Sequence, residues 1–79
     1  MNPINEALRM ARLGARIKQQ DLAKRLDVSA AFLSEVESGH AKLPKEWYPF
    51  LPTPIRRAVA QAAIDDLKRQ EEALRRFLK

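Results

Sequence analysis

The stretch QQDLAKRLDVSAAFLSEVESG, residues 19–39, carries two short apolar patterns of helical spacing, separated by Asp27-Val28-Ser29. Leu22, Ala23 and Leu26 share one face of the first pattern; Phe32, Leu33 and Val36 share one face of the second. Residues three and four apart are neighbours on a helix surface, so each segment has a single stripe to bury. With a connection this short the two helices must cross steeply, each packing its stripe against the other. Asp27 stands where the chain must reverse, and aspartate tolerates a left-handed backbone better than most residues, though less well than glycine. Ser29 is a suitable cap for the second helix, and Gly39 suits a positive φ at its end. The expected helices cover about 18–26 and 29–38.

Working outward, Asn2-Pro3 is a cap residue followed by a proline fit for the first helical position. Ile4, Ala7, Leu8 and Ala11 follow at helical spacing, Gly14 is a natural stop, and Ile17 is the apolar plug before the next helix. Downstream, 40–44 is a loop, and Pro44 opens a short turn of helix that Pro49 keeps from extending. Of Trp47, Tyr48 and Phe50, at least two are expected to close the bottom of the core. Thr53-Pro54 repeats the cap-then-proline signature and starts a last helix reaching about Leu78. Ile55, Val59 and Ala62 form its first stripe. Ala60, Ile64, Leu67, Leu74 and Leu78 form a second, at alternating four-three spacing that Glu71 interrupts. Asp65/Arg69, Glu71/Arg75 and Glu72/Arg76 are expected to pair along the helix. The second half of this helix has little left to pack on, which points to another chain.

The composition bounds the class. The 79 residues make one domain-sized unit with 46% apolar residues, no cysteine and one histidine. Disulfides are excluded, and thiolate or multi-histidine metal sites with them, so no metal and no cofactor is expected. No run of eighteen apolar residues and no charged-then-apolar leader is present, so a soluble, cytoplasmic protein is expected. The net charge of +5 leans towards a polyanionic partner. That excess is spread along the chain, with eight Lys+Arg against six Asp+Glu before Pro54 and seven against four from there on. No Ser/His/Asp set, phosphate-cradling glycine loop or paired-carboxylate site occurs, so the protein is not expected to be an enzyme.

The segment from Leu8 to about Pro44 resembles the Cro/lambda-repressor-like helix-turn-helix family, also called Xre. The resemblance is carried by Arg12, Ile17, Gln19, Leu22-Ala23, Leu26, Val28-Ser29, Leu33-Ser34, Val36-Glu37 and Gly39, closing with Lys42 and Pro44. Agreement at this spacing over about half the chain is far more specific than a short motif. It implies an all-α fold: a five-helix Cro/repressor-like helix-turn-helix domain with a long C-terminal helix. Residues 1–52 would be the DNA-binding domain, and 53–79 a helix packing on the core and forming the dimer interface.

The same resemblance makes 29–38 the recognition helix, whose N-terminal part meets base edges in the major groove. By position, Ser29, Ala30, Ala31 and Glu35 would face bases, with Ser34 nearby. Gln19 would bind a phosphate and brace the recognition helix, while Ser38, His40, Lys42 and Lys45 would hold the DNA backbone. His40 is equally well read as an ordinary exposed loop residue. Arg12 and Glu37 would form a structural ion pair between the first and third helices. The sequence departs from the family's habits at Lys18, where serine or threonine is common, at Asp27, where glycine is usual, and at Ala30 and Ala31. Alanine reads at most a thymine methyl, so few direct base contacts are expected and DNA shape should carry part of the specificity.

These readings converge on a sequence-specific DNA-binding transcriptional regulator. It is expected to be a small repressor or autoregulator that binds a palindromic site on double-stranded DNA as a homodimer. Ile64, Leu67, Leu74, Phe77 and Leu78 would form the dimer surface. A second reading is an antitoxin-like interaction module whose C-terminal helix binds a partner protein such as a toxin. A third, an RNA-binding helical module, has no aromatic platform to support it.

Overall fold

The computed structural model describes residues 2–78, so that Met1 and Lys79, the ends of the two expected segments, lie outside the described residues. Four α-helices follow in order: α1 Pro3–Gly14, α2 Gln19–Arg25, α3 Ala30–Glu37 and α4 Thr53–Arg75. A 3-10 helix, Lys45–Phe50, lies between α3 and α4, and a 3-10 turn, Arg76–Leu78, ends the chain. The fold is all-helical, as the periodicity implies. It is assembled by α1 lying along α4 while α2 packs on α3 and α3 touches α1.

The helix starts follow local chemistry. Asn2 accepts a hydrogen bond on its side-chain oxygen from the Ile4 amide at 2.8 Å, and Ser29 Oγ accepts from the Phe32 amide at 3.0 Å. Each satisfies one of the amides a helix start leaves without a partner. Thr53 does not act this way. Pro52 occupies the cap of α4 with no side-chain bond, its carbonyl accepting from the Arg56 amide at 2.8 Å.

The ends of α1, α2 and α3 share one device. In α1 the Ile17 amide donates to the Arg12 carbonyl and Arg16 to Leu13; in α2, Val28 donates to Ala23 and Asp27 to Lys24; in α3, His40 donates to Glu35 and Gly39 to Val36. These are the paired bonds of a Schellman end, which needs one left-handed residue. Arg16, Asp27 and Gly39 supply it, with φ of 58°, 56° and 87°. α1 thus stops at Gly14, as expected, and the left-handed residue follows two positions later. Gly14 is the last residue of α1, and a methyl group added there would meet nothing within 4 Å.

The core comprises Leu8, Leu22, Ala23, Leu26, Leu33, Val36, Trp47, Leu51, Ile55 and Val59. Ile17 and Val28, the residues just after two of the Schellman ends, pack against it from the rim, as does Tyr48. Trp47 and Tyr48 thus close the core, whereas Phe50 is exposed. Phe32 does not join the buried stripe of α3. It stays 36% exposed and meets Trp47 edge-to-face, with ring centroids 5.7 Å apart. Arg25 donates from Nε to the Phe50 carbonyl at 2.8 Å and ties α2 to the 3-10 helix.

From Leu67 onward every described residue of the C-terminal helix is exposed. At 1.5 Å per residue α4 is about 35 Å long, which stretches the molecule to 49 × 23 × 20 Å. Its charge pairs differ from the expected set. Arg75 bonds Glu71, but Arg69 reaches Asp66 at 3.7 Å, Asp65 instead accepts from Gln61 at 3.0 Å, and Glu72 and Arg76 are not in ion-pair contact.

Candidate nucleic-acid interface

The presentation of α3 begins with a buried charge pair. Arg12 on α1 donates from Nε to Glu37 Oε2 at 2.6 Å and from Nη2 to Oε1 at 3.0 Å. Its Nη1 donates to the Ile17 carbonyl at 2.9 Å, and Gln19 adds a bond from Nε2 to Glu37 Oε1 at 3.1 Å. The two charged side chains are 10% and 4% exposed. Planar guanidinium and carboxylate match in this two-pronged geometry, and further bonds to both groups are what makes burial of such a pair tolerable. Glu37 is the last residue of α3, so this cluster fixes that end of the helix to both α1 and α2.

Asn5 is a second anchor that the sequence pattern does not single out. It is 2% exposed, and its Nδ2 donates to the carbonyls of Val36 at 2.6 Å and Ala41 at 2.8 Å. One side chain thereby holds the end of α3 and the loop beyond it against α1. Its position within the helical repeat was legible; its buried polar role was not, since nothing local distinguishes it from a solvent-facing asparagine. Among the described residues no buried side-chain nitrogen or oxygen lacks a partner.

With its far end locked, α3 leaves its N-terminal part and one face open. Ser29, Ala31, Ser34 and Glu35 are exposed, whereas Ala30 is half-buried and packs partly against the core. Ser29 already uses its oxygen as a helix cap.

The expected phosphate contacts fall into two groups. Gln19 and Ser38 border one depression of about 390 Å³, shared with Ser34 from the expected base-facing set and with Arg9, Arg12 and Glu37. Arg9, on α1, is a cation of this depression that belongs to none of the expected contacts. It stands one helical turn before Arg12, and that spacing is the signal that puts it on this face. Ser38 Oγ lies 3.1 Å from the Glu35 carbonyl, to which it donates, and 2.7 Å from His40 Nδ1. Both exposed polar groups are thus engaged with each other at the end of α3. Lys42 and Lys45 are exposed but border a different recess of about 400 Å³, between the N-terminus of α1 and the middle of α4. Ile4, Leu43, Tyr48, Ala63 and Leu67 supply its apolar wall, with Asp66 at its edge.

Residues 8–46 match a family model described as helix-turn-helix. The match begins inside α1 and ends in the first turn of the 3-10 helix, leaving α4 outside it. Comparison with curated proteins and with solved structures finds no match. No described helix is long and apolar enough to cross a membrane.

Proposed function

Through residues 8–46 the chain belongs to the Cro/lambda-repressor-like, or Xre, helix-turn-helix family of DNA-binding transcription regulators, and from that premise we propose that it is a small repressor or autoregulator acting as a homodimer on a palindromic operator. The family is one of regulatory domains and is not typically enzymatic.

The observation that carries the proposal is the way α3 is presented. Its C-terminal end is fixed by Arg12, Glu37 and Asn5, while Ser29, Ala31, Ser34 and Glu35 face outward along its length. A helix held so and open at its N-terminal part is suited to the major groove. In this reading Gln19, Ser38, His40, Lys42 and Lys45 contact phosphates, and Arg9 joins them from α1.

Dimerisation follows from a physical need. One small module covers little DNA, and pairing two multiplies affinity and sets half-sites about one helical turn apart. The exposed Ile64, Leu67, Leu74, Phe77 and Leu78 supply an apolar face for it. The antitoxin-like reading draws on the same face for a different protein.

Selection of bound sites from randomised duplex DNA, at two salt concentrations, tests the proposal. An inverted repeat should be enriched, with affinity falling steeply as salt rises. Recovery of single, unrepeated sites would set the dimeric operator aside.

A further inference from the structure

The recess between the N-terminus of α1 and the middle of α4 has an apolar wall of Ile4, Leu43, Ala63 and Leu67, to which Tyr48 adds an aromatic ring. Asn5 borders it as well. Both hydrogens of the Asn5 amide are spent on the carbonyls of Val36 and Ala41, and no described donor reaches its Oδ1. The side chain is almost wholly buried, yet among the described residues no buried side-chain oxygen lacks a partner. Oδ1 is therefore the polar atom through which Asn5 meets open space, and the opening that Asn5 borders is the recess. Lys42 and Lys45 stand exposed at the rim, and among the described residues neither is in ion-pair contact with a carboxylate. We propose that the recess binds a small planar carboxylic acid carrying an N–H or O–H donor, with the donor on Asn5 Oδ1 and the carboxylate between Lys42 and Lys45.

Each feature selects one part of that ligand. At about 400 Å³ the recess has the size of a small ligand pocket, and such pockets are mainly apolar with a few placed polar groups. A tyrosine ring in the wall favours a flat partner. An amide oxygen accepts and cannot donate, so an occupant without a donor would strand Oδ1 away from water. Lysine ammonium groups only donate, so the end of the ligand at the rim is an anion. Asp66 is the one acid bordering the recess among the described residues, and its charge is held along its own helix. It accepts from Gln70 Nε2 at 3.1 Å and lies 3.7 Å from Arg69. A purely apolar occupant, such as leucine side chains from a second copy, would satisfy neither Asn5 nor the lysines. One consequence rests on the DNA-binding reading above. Lys42 and Lys45 are phosphate contacts there, so an acid bound between them loosens the grip on DNA.

The test follows the amide shifts of the isotope-labelled full chain with three probes: indoleacetate, naphthylacetate, which has a similar shape but no N–H, and skatole, which lacks the carboxylate. Indoleacetate is expected to move the amides of Asn5, Leu43, Ala63 and Leu67 saturably. The other two should each bind roughly tenfold more weakly. Lys42→Gln combined with Lys45→Gln should erase the preference for indoleacetate over skatole. Saturating indoleacetate should also lower the affinity of the unmodified protein for a short mixed-sequence duplex. Failure of all three probes to move these amides at millimolar concentration would overturn the site. Shifts at the same amides on concentrating the protein alone would overturn it too, by giving the recess to a second copy. Equal binding of indoleacetate and skatole would overturn the assigned chemistry. Duplex affinity unchanged by bound indoleacetate would overturn the consequence for DNA, whereas a protein with no duplex affinity at all would count against the proposed repressor and leave the ligand site standing.

Discussion

Arg12 and Glu37, twenty-five positions apart, form a two-pronged ion pair that is almost wholly buried and shares its carboxylate with the Gln19 amide. The pair does not face the open side of α3. It sets where that helix sits, and removing one member strands a charge in a site built for two.

Glu37→Ala should cost about 3–5 kcal/mol of unfolding free energy, because an unpaired buried guanidinium remains. Replacing both residues by leucine should cost much less. Urea titrations followed by circular dichroism read both, and equal losses in the single and double variants would argue against a coupled pair.

Asn5→Ala leaves the carbonyls of Val36 and Ala41 without their donor. A loss of about 1–3 kcal/mol is expected, the usual cost of stranding buried polar groups. Hydrogen exchange should also accelerate at the end of α3 and in the following loop. Uniform acceleration across the whole chain would indicate a global effect instead of a local anchor.

Arg16 and Asp27 hold left-handed backbone conformations that a side chain disfavours. Arg16→Gly should raise stability by up to about 1 kcal/mol, the relief of strain being offset in part by glycine's larger entropy loss. Asp27→Gly should gain less, as aspartate tolerates the conformation better. Gly14→Ala should add roughly 0.5–1 kcal/mol, since the position is helical and open. Thermal melts of the three variants give the order directly.

Leu67→Asp combined with Leu74→Asp should leave the fold intact, both side chains being well exposed in the single chain. The same change should abolish the dimer and weaken operator binding. Sedimentation velocity separates the cases, and a double variant that stays dimeric would place the interface elsewhere.

Much of this architecture was legible because its signals are local. Helical spacing gave the four main helices, Asn2 and Ser29 act as the caps their chemistry suggests, and Asp27 and Gly39 turn the chain where expected. The misreadings arose where tertiary context decides. Gly14 ends α1 as expected, yet the left-handed position of the turn falls to Arg16 two residues later and not to a glycine. Phe32 had the spacing of a core residue but lies at the rim, edge-to-face with Trp47, a buried residue of a later segment. Thr53 lost the cap to Pro52. At the interface, the Arg12–Glu37 pair was reachable through the family resemblance. Asn5 was not, since its partners are main-chain carbonyls more than thirty residues away.

The central claim is that α3 reads the major groove in a two-fold arrangement, and its most direct test compares sites selected from randomised DNA by the unmodified protein and by Ala31→Gln. Alanine offers a base only a methyl contact, whereas glutamine can bond adenine at N6 and N7. The account predicts inverted repeats from both proteins, with the variant shifted towards adenine at one symmetry-related position in each half-site. Identical profiles, or profiles without a repeat, would contradict it.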